Sequence, residues 1–146
     1  MNPFKKRQPN TPQPPEYAER IADNYRQRLA WVWVGDGNPP PPITNPHETF
    51  LELVLAAHCY CRIYRFDPDP DAYYGFELPH NTTPGATLAA RMVCAVANND
   101  HPHAYALWLA AGRHTITDAT TTVTDWCADG LDRNPAALDG FLWYEP

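Results

Sequence analysis

NPHETFLELVLAAHCYCRIYRF, residues 45–66, carries the strongest structural instruction in the chain. Asn45 suits a helix N-cap and Pro46 the first helical position. Glu48, three residues after the cap, supplies the second half of a capping box. From there Phe50, Val54, Ala57, Cys61 and Tyr64 recur at helical spacing as one apolar stripe. The pattern predicts a single helix from Pro46 to about Arg65 or Phe66, broken by Asp67-Pro68-Asp69-Pro70-Asp71.

That helix governs how His58-Cys59-Tyr60-Cys61 is read. Cys59 and Cys61 stand about 200° apart around a helix axis, so one metal ion cannot take both. His58 and Cys61 share a face and make at most half a site. Were a metal bound, His58, Cys61, His101 and His103 would be its ligands. The chain has no Cys-x2-Cys chelate pair. Packed thiols, no metal and no cofactor are the expectation. Asp67, Asp69 and Asp71 occupy the first, third and fifth places of a calcium-loop pattern. Its sixth place is Ala72 instead of Gly, and its twelfth is Leu78 instead of Glu.

Upstream, residues 16–30 read as a helix with Ala18, Ile21, Tyr25, Leu29 and Val32 on one face. Trp31-Val32-Trp33-Val34 has strand-type side chains and leaves the end of that helix open. Pro39 to Pro42 read as a stiff connector. Residues 1–15 read as a flexible Pro-rich arm, basic through Lys5, Lys6 and Arg7, and residues 16–146 as a single domain.

Downstream, Tyr73 to Leu78 suits a short extended piece. A third helix starts at Thr83-Pro84 and ends at Asn98-Asn99-Asp100. A fourth runs from about Pro102 to Ala111, with Gly112 as its stop. A fifth is marked by Ile116, Ala119, Val123, Trp126, Cys127 and Gly130. A turn at Asn134-Pro135-Ala136 leads to the aromatic tail Phe141-Leu142-Trp143-Tyr144.

The chain also echoes itself. Shifted by 33, residues 46–94 match 79–127 at twelve of 49 positions, where ordinary composition gives about one in fifteen. Cys61, Cys94 and Cys127 fall on that period. A degenerate helix-turn-helix repeat is one reading, and coincidence in an Ala-rich chain is the other. Either way the fold class is mainly α, with about five helices as antiparallel hairpins and at most a small β element.

Composition narrows function. Net charge is −6. Residues 1–15 carry +3, so residues 16–146 carry −9, the wrong sign for a general nucleic-acid binder. Arg62 and Arg65 beside Tyr64 do not outweigh it. The chain contains no serine, which excludes a Ser-His-Asp triad. Cys59 has only His58 adjacent as a base, about 100° away on a helix. No secretory signal is visible, and the longest apolar run, Ala104–Ala111, is too short for a helical span. A soluble cytoplasmic protein is expected. Five tryptophans and eight tyrosines exceed the needs of one small core. Trp143, Tyr144, Tyr73 and Tyr74 are therefore candidate anchors for a partner. The reading is a small acidic, non-catalytic protein-interaction module, an adaptor or modulator of another protein. A metal-binding regulator and a DNA-associated accessory factor using Lys5, Lys6 and Arg7 are the alternatives.

Overall fold

The computed structural model describes residues 14–35, 37–40 and 45–143, with side chains from residue 18. Among them are five helices: α1 (Pro14–Val34), α2 (Pro46–Tyr64), α3 (Pro84–Ala97), α4 (His101–Ala110) and α5 (Arg113–Arg133). No strand occurs among the described residues. The mainly α class holds, and the extended piece at Tyr73–Leu78 pairs with nothing as a sheet.

The 45–66 stretch winds as expected. Asn45 Oδ1 accepts from the His47 and Glu48 amides at 2.9 and 3.2 Å. Arg65 ends the helix in the left-handed region, at φ 62° and ψ 47°. Glu48 has another use than the capping box: its Oε1 meets Arg20 NH1 on α1 at 2.5 Å. The buried face is also wider than the single stripe. Leu53, Ala56, Ala57 and Cys59 are fully covered, while Phe50, Val54 and Tyr64 are half-buried. α2 touches α1, α3, α4 and α5, so little of its circumference meets water. The four residues Trp31–Val34 belong to α1 after all. Tertiary contact overrides their strand preference: Trp33 Nε1 donates to Asp132 Oδ1 on α5 at 2.8 Å.

Paired contacts give the helix directions. Tyr25 meets Thr124, and eight residues further along both helices Trp33 meets Asp132, so α1 and α5 run the same way. Arg20 meets Glu48, and Asn24 and Arg28 meet Glu52, which aligns α2 with α1. Gly85 near the start of α3 lies against Asp118 near the start of α5. Val93 near the end of α3 accepts from Cys61 near the end of α2. The four long helices therefore share one direction.

α4 alone is reversed. Asn98-Asn99-Asp100 turns the chain back, and Leu107 and Ala110 end up beside Pro84 and Leu88. The antiparallel expectation holds where α4 packs on α3 and α2, and is corrected among α1, α2, α3 and α5, which pack parallel. The connections 35–45 and 65–83 exceed the 2–8 residues usual between antiparallel neighbours and return the chain to its starting end.

α5 lies at the centre, against α1, α2 and α3. Its threonines tolerate a helix because Thr120, Thr122 and Thr124 each donate to the carbonyl four residues back, at 2.7–3.0 Å. The 33-residue echo aligns the ends of α2 and α3, Tyr64 and Ala97, but not the segments beyond those ends. Residues 65–83 hold no helix, whereas α3 leads directly into α4.

Candidate functional site

α4, HPHAYALWLA, is the anomalous element. No Asp, Glu, Lys or Arg occurs from His101 to Gly112. A helix apolar all round normally belongs in an interior. Here Ala104 alone is buried; Tyr105 is 46% and Leu109 62% exposed. The helix is held by an aromatic trio. Phe50 on α2 meets Tyr105 edge-on at 5.6 Å and Trp108 at 5.1 Å, and Tyr105 and Trp108 are 5.6 Å apart. Trp108 Nε1 is buried without an acceptor among the described residues.

Two clefts flank this ridge. One, of about 260 Å³, is walled by Pro46, Trp108, Leu109 and Ile116, with Arg113 as its charged member. The other, of about 360 Å³, runs between α3 and α4 past Leu88, Leu107 and Ala110, with Arg91 as its charged member. α5 begins beside Arg113 with Gly112 as N-cap and no side-chain cap, so its first amides add partial positive charge there. A smaller polar cavity beyond Thr49 and Ile116 reaches Glu52. That carboxylate is buried and already accepts from Asn24 Nδ2 and Arg28 Nε, at 3.1 and 3.2 Å.

The opposite character appears on the outer face of α5, where Asp118, Asp125, Asp129 and Asp132 are exposed. Partial burial and the neighbouring Asp129 raise the Asp125 carboxyl above its ordinary range.

The residues singled out from sequence are dispersed. Tyr73 is exposed, at 80%. Tyr74 is half-buried: its hydroxyl donates to Asp67 O at 2.7 Å, and its ring meets Phe66 edge-on at 5.2 Å. Trp143 is half-buried, T-stacked on Phe141 at 4.9 Å and covered by the Arg26 guanidinium at 5.1 Å. Lys5, Lys6, Arg7 and Tyr144 lie outside the described residues. Much of the aromatic surplus fastens the 65–83 connection: Tyr60 meets Tyr64, Phe66, Phe76 and Trp126 within 6.1 Å. Arg62 donates to Asp139 O at 2.7 Å and so holds the chain after α5.

The His/Cys set divides as the helix demands. Cys61 is buried and its thiol lies 3.9 Å from Val93 O. His58 faces outward near His101; restricted hydration and then His101 lower its pKa. His103 is exposed in the first turn of α4. Asp69 Oδ1 accepts from the Asp71 amide at 2.9 Å, within its own turn. Among the described residues no three His, Cys, Asp or Glu side chains converge on a point that could hold a metal. All four thiols are unpaired. Burial, and then Cys94, pushes Cys61 up to about 12, and burial is also the main reason that Cys127 stands at about 12.

Tyr105 and Leu109 are not among the candidates that the sequence suggests. Their signal lies in the charge-free run that contains Ala104–Ala111, whose length speaks only against a membrane span. No helix among the described residues is long and apolar enough to cross a membrane. The chain matches no known protein family, no curated protein and no solved structure.

Proposed function

We propose that this chain is a non-catalytic protein-interaction module that receives another protein along α4. The observation that carries the reading is a charge-free helix placed on the outside, with Tyr105 and Leu109 projecting from it. An exposed apolar ridge between two clefts is the kind of surface that partners cover. Tyr73 and Leu142, also exposed, are secondary contacts at most, since each lies in an irregular segment outside the charge-free helix. Four unpaired thiols fit a reducing, cytoplasmic setting. The alternative of a metal-binding regulator has the approach of His58 to His101 in its favour, but Cys61 is turned inward to Val93.

Site-specific photo-cross-linking tests the reading. A cross-linking residue at position 109, in the full chain within its native cell, is expected to give a discrete protein adduct. The same residue at position 129 on the acidic face is expected to give none. Equal labelling from both positions, or none from 109, would count against it.

A further inference from the structure

We infer that the partner segment received along α4 is an acidic, amphipathic peptide, whose apolar side chains enter the two flanking clefts and whose carboxylates meet Arg113 and Arg91. This rests on the α4 reading above and adds the chemistry of the occupant.

The inference comes from charge. The chain is acidic overall, at −6, yet among the described residues each cleft has an arginine as its only charged lining residue. Both arginines are exposed, and neither forms an ion pair among the described residues. By contrast Arg20 and Arg28 are matched by Glu48 and Glu52. Arg113 also stands in the first turn of α5, where a cation opposes the helix dipole and an anion is favoured. Gly112 supplies no side chain to answer those amides. Two cations without an ion pair among the described residues thus border an uncharged ridge. An amphipathic segment that carries acids beside an apolar face suits that pairing of cations and ridge. A basic partner would instead meet like charge here and find its complement on the α5 aspartates.

The test selects a randomised phage-displayed peptide library on the full chain, with the Leu109→Asp variant as counter-selection. Leu109→Gln serves as a second, milder variant, and melting curves check that each variant folds. Enriched peptides are expected to combine acids with apolar residues. Synthetic copies should bind roughly tenfold or more weakly to Leu109→Asp. They should lose roughly threefold to tenfold with Arg113→Gln or Arg91→Gln, and less at high salt. Peptides that need Leu109 but are neutral or basic, and ignore both arginines, would overturn the acidic-partner inference while leaving α4 as a docking face. No enrichment over the counter-selection would remove the α4 reading itself. Self-association lost on Leu109→Gln, seen by sedimentation, would make a second copy the occupant. Binding to phosphatidylserine vesicles through Leu109 would make it a membrane. Either result would overturn the peptide proposal.

Discussion

Tyr25 Oη on α1 lies 3.0 Å from Thr124 Oγ1 on α5, with both side chains sealed from water. Thr124 uses its own proton on Thr120 O at 2.7 Å, so Tyr25 is the donor. Tyr25→Phe removes that bond and leaves Thr124 satisfied as a donor. The expected loss is about 1 kcal/mol, or roughly 2–4 °C in Tm. Thr124→Val leaves the phenol proton only the Cys127 sulfur nearby and is expected to lose more. Thermal unfolding of the two variants checks the order, and a larger loss for Tyr25→Phe would contradict it.

Two glycines let the parallel helices approach. A Cβ on Gly85 would stand 2.6 Å from Asp118 Cβ, and one on Gly130 would overlap Ile63 Cγ2. Alanine normally improves a helix interior by about 1 kcal/mol, but overpacking of this kind costs about 1–3 kcal/mol. Gly85→Ala and Gly130→Ala should therefore each destabilise by about 1 kcal/mol or more. Chemical denaturation measures this. A stabilised Gly130→Ala would mean that α2 and α5 are further apart than described.

Much of this arrangement was legible in advance, for identifiable reasons. Asn45-Pro46 and Thr83-Pro84 name two helix starts through cap chemistry, and both caps form. Two things were less readable. Trp31–Val34 has strand preference locally, whereas in the fold Trp33 packs on the core from a helix and donates to the distant Asp132. Helix direction was carried by the lengths of the 35–45 and 65–83 connections, not by the amphipathic stripes. The candidate site was nearly invisible because a surplus of aromatics says nothing about which rings are covered. Tyr74 and Trp143 proved to be internal fasteners, whereas Tyr105 and Leu109 came to the surface.

The thiols make stability sensitive to alkali. Burial pushes Cys61 and Cys127 up to about 12, whereas an unfolded chain releases those protons near the ordinary thiol value. Folded pKa values above unfolded ones mean stability that is whole below about pH 9 and is lost as pH rises toward 12. Denaturation at pH 8 and at higher pH should show the decline. At pH 8 iodoacetamide should reach half-buried Cys94 first, with Cys59, Cys61 and Cys127 reacting only on unfolding. Rapid alkylation of Cys127 in the folded chain would contradict this.

Trp108 tests whether its ring or its N–H matters. Its donor is buried without an acceptor among the described residues, a desolvation penalty of about 1–3 kcal/mol. Trp108→Phe removes that penalty while giving up part of the packing against Phe50. The net change should fall within about 1 kcal/mol of zero, whereas Trp108→Ala should lose about 3 kcal/mol or more. A loss well above about 1 kcal/mol for Trp108→Phe would show that the N–H is satisfied after all.

The most direct measurement is hydroxyl-radical footprinting of the full chain, alone and in complex with the protein captured at position 109. Tyr105 and Leu109 should lose most of their reactivity in the complex, with Tyr73 unchanged. Tyr105 and Leu109 remaining fully reactive while Tyr73 or Leu142 becomes protected would place the partner elsewhere and leave α4 without the role assigned to it.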